Sequence, residues 1–341
     1  MTRRGLKLVS LLLCCLTGCA GHTVDLDRTA PASSAPTSSD PSVFAEEGLA
    51  GVWVDEQRLY WLTYFGTFQS CLKADCEHTR VTYAKGSHEQ AVPVAVANGH
   101  VYWALDLARV FSCPAEGCGG EPVKVVRDPG LRAHIYANQD HVYWSSDVDI
   151  YRCAASGCGP TPEVVVSGAI AGQLAFDETH AYWVSTGGIT GGIMRARADG
   201  SQPPEPVVDW EQPDGLRSIA VGGGYLYWVS GAHVFRCPTA NCNASATTLL
   251  VTTDGAIYDV TALMVDASAM YWQKASTGYT CPLEGCEQPA ALTPSRVPST
   301  PLGVNDAASF AVDATDVYWL DEGDRQPGLP PLAKAIRKTP L

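Results

Sequence analysis

An aromatic pair recurs seven times along the chain: Tyr60-Trp61, Tyr102-Trp103, Tyr143-Trp144, Tyr182-Trp183, Tyr227-Trp228, Tyr271-Trp272 and Tyr318-Trp319. Successive tryptophans stand 42, 41, 39, 45, 44 and 47 residues apart, and seven of the nine tryptophans are used this way. A period of this length in a sequence rich in β-branched and aromatic residues corresponds to one four-stranded propeller blade per repeat. The chain is therefore predicted to be an all-β, seven-bladed propeller.

Each repeat reads as the same four strands, lettered A to D. Strand A is a short apolar run such as Gln173 to Phe176 or Phe310 to Val312. A polar turn leads to strand B, which carries the Tyr-Trp pair and suits packing between sheets. Strand C is short, as at Ile150 to Arg152 or Val234 to Arg236, and strand D is β-branched, as at Val164 to Val166 or Leu249 to Val251. The 32 glycines and 23 prolines favour turns, and no segment has the length and period of an amphipathic helix.

Five repeats place two cysteines, with four residues between them, at the C–D hairpin: Cys71/Cys76, Cys113/Cys118, Cys153/Cys158, Cys237/Cys242 and Cys281/Cys286. The residue before the second cysteine is Asp75, Gly117, Gly157, Asn241 or Gly285, all types that tolerate a positive φ. Repeat four has Ala196 and Ser201 in place of the cysteines but keeps Gly200, so the hairpin is predicted to form without a clasp. Thirteen cysteines in all point to an oxidising compartment. The rival use, zinc, needs two pairs to converge on one ion, and successive blades hold these hairpins apart. Five disulfides and no metal are the expectation, and no cofactor is implied.

The last repeat stops early. Ala335 to Lys338 matches strand C, and the chain ends at Leu341 before a strand D. Counting back from Trp61 by the spacing that separates a strand D from the next tryptophan leads to Ser42 to Ala45, so residues 41 to 45 are predicted to close the ring as an N-terminal strand.

The repeats resemble those of the YWTD-type propellers of the low-density lipoprotein receptor class, and of related bacterial repeat lipoproteins. The resemblance covers residues 42 to 341, with Arg195 to Ser201 the nearest local match. Where the family has Asp two residues beyond the tryptophan, this chain has Thr63, Leu105, Ser146, Ser185, Ser230, Lys274 and Asp321, so only Asp321 agrees.

The N-terminus supplies an address. Arg3, Arg4 and Lys7 precede an apolar stretch, Leu6 to Leu16, that is too short to span a bilayer. Leu16-Thr17-Gly18-Cys19 follows and resembles the lipobox of bacterial lipoproteins, which implies a signal peptide over residues 1–18 and a lipidated Cys19. Residues 19–40 are rich in Ala, Pro, Ser and Thr and read as a disordered tether to a domain over 41–341. Ala20, by resemblance to lipoprotein sorting, points to the outer membrane. The reading is thus a cell-envelope protein bound to the membrane through its lipid, and a monomer. A net charge of −13 excludes nucleic-acid binding through a general basic field.

Few residues suggest chemistry. His100, His141 and His180 share one A–B turn slot and read as structural, whereas His134 in strand A of blade three approaches the channel. The B–C and D–A loops are longest around blade seven and carry Asp306, Asp321, Glu322 and Arg325. Asp209-Trp210-Glu211, placed in the D–A loop before blade five, offers an out-of-pattern tryptophan between two acids that could hold a sugar or a cation. Hydrolase, metalloprotease, phosphate-loop and dinucleotide signatures are all missing. The leading reading is a binding or scaffold module for a protein or glycan. The alternatives are a lyase or hydrolase at the channel mouth, and a calcium-binding propeller using acids such as Asp147 and Asp149.

Overall fold

The computed structural model describes residues 48–63, 66–85, 91–97, 99–105, 109–127, 131–138, 140–146, 148–155, 161–169, 171–185, 191–210, 216–231, 233–242, 248–252, 260–274, 277–293, 310–321 and 335–341. All of them belong to one compact unit, Asp40–Leu341. They form seven antiparallel sheets, one per repeat, each pairing its strands in chain order. In blade three, for example, A is Leu131–Ala137, B is His141–Ser146, C is Asp149–Ala154 and D is Glu163–Ser167. The one helical element among the described residues is the 3-10 turn Thr239–Asn241.

The Tyr-Trp pair explains why these sheets assemble into a ring. Adjacent residues on a strand point to opposite faces. Each tyrosine therefore enters the core shared with the following blade, and each tryptophan the core shared with the preceding one. Tyr60 packs with Trp103, Tyr102 with Trp144, Tyr143 with Trp183 and Tyr182 with Trp228. Tyr227 packs with Trp272 and Tyr271 with Trp319. Tyr318 of the last repeat returns to Trp61 of the first, in a core with Leu49, Val52, Leu59 and Ile336. None of these fourteen rings is more than 3% exposed. Seven inter-blade cores thus close a seven-bladed ring.

Each tryptophan also faces strand C of its own blade. Trp103 lies opposite Phe111, Trp144 opposite Tyr151, Trp228 opposite Phe235 and Trp272 opposite Tyr279, with stacked rings at 5.9, 5.8, 5.7 and 6.1 Å. Cross-strand aromatic pairs of this kind add about 0.5–1.5 kcal/mol each beyond area burial.

Neighbouring blades are tied by polar bonds as well. Arg152 donates to the Ala198 carbonyl at 3.1 Å, and Arg195 to the Thr239 carbonyl at 2.6 Å. Arg236 reaches the Leu283 carbonyl at 2.5 Å. In every case a strand C arginine bonds the hairpin of the following blade. In blades one and two, tyrosines make the equivalent tie. Tyr83 donates to the Ala115 carbonyl and Tyr102 to that of Ala155.

The clasps sit where the spacing puts them. Cys71–Cys76, Cys113–Cys118, Cys237–Cys242 and Cys281–Cys286 are disulfides, with Cα atoms 4.8, 4.9, 5.1 and 5.8 Å apart. Cys153 is disulfide-bonded too; its predicted partner Cys158 lies outside the described residues. Gly117, Gly200 and Gly285 all have positive φ, of 125°, 71° and 100°. In blade four Gly200 N–H bonds the Arg197 carbonyl at 2.9 Å, as Gly117 and Gly285 bond Pro114 and Pro282 at 3.0 and 2.9 Å. The unclasped hairpin therefore has the same turn. Asn241 differs, since blade five makes its hairpin with the 3-10 turn.

Blade seven has three strands among the described residues: Phe310–Val312, Asp316–Asp321 and Ala335–Pro340. The predicted closing strand at residues 41 to 45, the signal peptide, Cys19 and the tether lie outside the described residues.

Candidate functional site

A strands of neighbouring blades contact one another around the centre of the ring, from blade two through blade six and between blades seven and one. At the end where they run into the A–B turns lies a cavity of about 480 Å³, lined by Tyr136, Phe176, Val221, Met264, Val265 and Val312 among others. Val54 and Val96 occupy the register of Val221 and Val265 in blades one and two. Tyr136 stacks on Phe176 at 4.3 Å and 11°, making a flat aromatic wall. Gly222 borders this wall of valines closely, because a Cβ there would sit 3.0 Å from Val265 Cγ1.

An acid follows this register position directly in four blades: Val54 by Asp55, Phe176 by Asp177, Val265 by Asp266 and Val312 by Asp313. Each Asp has two roles. One oxygen closes the A–B turn by accepting backbone N–H groups, as Asp177 does from Thr179 and His180 at 2.7 Å each, and Asp266 from Ser268 and Ala269 at 2.7 and 2.9 Å. The other accepts the hydroxyl of the repeat tyrosine: Tyr60 to Asp55 at 2.6 Å, and Tyr182 to Asp177 and Tyr271 to Asp266 at 2.9 Å each. Tyr318 bonds Asp313 likewise. Burial works to raise the Asp177 and Asp266 carboxyls, but the N–H and hydroxyl donors outweigh it and hold both below the usual carboxylate range. Burial pushes the partner tyrosines up, and the carboxylate acceptor reinforces this. Asp55, Asp177, Asp266 and Asp313 are thus each held by turn N–H groups and by the tyrosine of their own repeat. Sequence reasoning looked for an acid two residues after the tryptophan and missed this one six residues before it. The spacing Asp-x-x-x-x-Tyr-Trp, present in four repeats, was the available signal.

At the position two beyond the tryptophan, hydroxyls do the local work instead. Thr63 Oγ1 accepts the Thr67 N–H at 3.0 Å, and Ser146 Oγ accepts those of Val148 and Asp149 at 3.2 and 2.9 Å. Asp321 is 2% exposed and ion-paired with Arg337 of the adjoining strand C.

The other sequence candidates fall as follows. His134 lies in strand A of blade three, as predicted, though its side chain is not described. Asp209 and Trp210 are not in a loop: they are the last two residues of strand D in blade four, paired with Gly192 and Gly191. Glu211, Asp306, Glu322, Arg325 and Asp147 lie outside the described residues. Asp149, the other calcium candidate, accepts the Gly168 N–H at 3.1 Å and the Tyr151 hydroxyl at 2.9 Å. Among the described residues no group of three His, Cys, Asp or Glu side chains could hold a metal ion. His100, His141 and His180 begin strand B and each lies beside the tyrosine two residues on, at 6.4, 5.9 and 6.1 Å.

Neither a family model nor a curated protein sequence matches the chain. In fold it is similar to YCF48. The structure of YCF48 bound to a D1 peptide shares 12% identity, covering 87% of this chain and 93% of that one with a TM-score of 0.59. YCF48 from Cyanidioschyzon merolae shares 10%, covering 86% and 96%, also at 0.59. BamB from Moraxella catarrhalis shares 11%, covering 85% and 84%, at 0.50. These likenesses establish the propeller fold, and the disulfides fit an extracytoplasmic protein.

Proposed function

We propose that the protein is a lipid-anchored cell-envelope propeller that binds a partner protein through its ring, with Cys19 as the anchor. The observation that carries this reading is the apolar channel mouth, beside which Asp177, Asp266 and Asp313 are committed to turn closure and tyrosine bonds. An apolar concavity of this kind suits binding. The lipobox-like Leu16-Thr17-Gly18-Cys19 and the disulfide-clasped hairpins support an envelope location, and YCF48, similar in fold, has been seen bound to a D1 peptide.

Photo-crosslinking residues placed singly at three described positions test the reading in living cells. Val221 reports on the channel mouth, Val148 on the B–C turn side, and Val123, 58% exposed on an outer strand, on the rim. A discrete adduct from Val221 or Val148, with none from Val123, is the expected result. The absence of an adduct at both faces would contradict a binding role.

A further inference from the structure

The channel mouth has a chemistry of its own. Its wall is apolar and partly aromatic, and its volume of about 480 Å³ lies within the ~300–1,000 Å³ usual for sites that enclose a small group. The A–B turns on this face carry acids in five of the seven blades, and of these, blades three, four, six and seven also line the cavity. Besides the four committed Asp residues, the turns carry Glu56, Asp140 and Glu178, all exposed. Asp316 also lies there, bonded to Lys338 at 3.2 Å. Two bases on this face are already engaged: Lys73 lies on Asp313 and on the Asp55 carbonyl, and Arg58 bonds Ser70. An apolar floor inside a net negative rim selects a ligand that is apolar at its centre and cationic around it.

We infer that the mouth binds a short basic peptide segment, inserting one large apolar or aromatic side chain between Tyr136, Phe176, Val221 and Val265 while flanking Lys or Arg residues face the acidic turns. The inference rests on the protein-binding reading above and specifies the partner's chemistry. The aromatic wall favours a flat side chain, and ionised turn acids supply an attractive field without moving.

Fluorescence anisotropy with three labelled peptides on the purified protein tests this: Lys-Lys-Phe-Lys-Lys, Lys-Lys-Ser-Lys-Lys and Glu-Glu-Phe-Glu-Glu. The first should bind at least about tenfold more tightly than the second, which is the fold-change expected for burying one large apolar side chain. It should bind more tightly than the third, and weaken as salt rises from about 50 to about 300 mM. Val221→Trp should fill the cavity and abolish binding. The triple variant Glu56→Gln/Asp140→Asn/Glu178→Gln changes only exposed turn side chains, so its fold is safe, and it should weaken binding about three- to tenfold and flatten the salt dependence. Equal affinity for the Phe and Ser peptides, or unchanged binding by the triple variant, overturns the inference, as does the failure of all three peptides to bind. If crosslinking from Val148 succeeds while the peptides fail, the binding role stands and only the assignment of the mouth falls.

Discussion

Lys73 Nζ lies 2.6 Å from Asp313 Oδ2, a carboxylate 240 residues further along the chain. Lys73 belongs to the C–D hairpin of blade one and Asp313 to the A–B turn of blade seven, so the pair spans the seam of the ring. Both side chains are largely buried, at 17% and 11% exposure, and Lys73 also donates to the Asp55 carbonyl at 2.8 Å. Across this seam lies the core of Tyr318 and Trp61, which performs the same closure with apolar surface.

The seam should respond to acid. Burial would raise the Asp313 carboxyl, but Lys73 and the N–H groups of Thr315 and Asp316 prevail and bring it down to about 2. A depressed carboxyl stabilises the fold above its unfolded pKa, near 4, and loses that contribution as pH falls through its folded value. Stability should therefore decline between about pH 4 and pH 2. The coupling should be about 1–2 kcal/mol, less than the full shift implies because solvent reaches the rim of the pair. A double-mutant cycle with Lys73→Met and Asp313→Asn, run at pH 7 and near pH 2, checks this: coupling should be present at the first and much reduced at the second, where about half of the carboxyls are protonated.

The turn acids predict unequal mutants. Asp266→Ala strips acceptors from Ser268 N–H, Ala269 N–H and the buried Tyr271 hydroxyl, and should cost about 2–3 kcal/mol. Tyr271→Phe leaves the turn intact and should cost about 1 kcal/mol. Urea unfolding of both variants gives the comparison, and equal losses would mean that the carboxylate serves the tyrosine alone.

The tie between blades four and five gives a second contrast. Arg195 bonds both the Thr239 carbonyl and Glu205, each at 2.6 Å, and Glu205 is 58% exposed. Arg195→Met should cost about 1.5–3 kcal/mol by leaving a carbonyl unpaired between blades, whereas Glu205→Ala should cost no more than about 1 kcal/mol. Melting temperatures of the two variants test the ranking.

Much of this was legible in the sequence. A Tyr-Trp pair on a strand must send its rings to opposite sides, so seven such pairs at a blade period encode both the blades and their packing. The cysteine pairs were equally readable, because a hairpin of fixed length admits one local pairing and blade four displays the uncrosslinked form. The site was harder to read. The cavity is lined from five A strands, by residues such as Tyr136, Phe176, Val221, Val265 and Val312, whose convergence depends on the closed ring and has no local signature. Asp321 looked like a loop acid because its partner Arg337 stands 16 residues away on the next strand. Trp210 looked like a loop residue because its ladder partner is Gly191, which gives no strand signal of its own.

Reduction should loosen the rim without dissolving the fold. Each clasp closes a six-residue segment, worth about 2 kcal/mol in a chain-entropy treatment. The Ala196–Ser201 hairpin forms without a disulfide, with Ser201 N–H bonded to Asp199 at 2.9 Å and Ala196 and Ala198 in the inter-blade core. Thermal unfolding with and without reductant should show a lower melting temperature and an unchanged β-sheet spectrum below it. A reduced protein that is unfolded at room temperature would contradict the aromatic cores as the main source of stability.

The proposed lipid anchor at Cys19 is open to a decisive check: fractionation of cells producing the wild-type chain and Cys19→Ser, followed by intact mass of each product. The wild type should sediment with membranes and carry a mass that fits a chain beginning at an acylated Cys19. Cys19→Ser should lack the acyl mass and lose stable membrane attachment. A wild-type protein without lipid, or a Cys19→Ser product that remains in the membrane with the wild-type modification, would contradict the anchored-propeller reading.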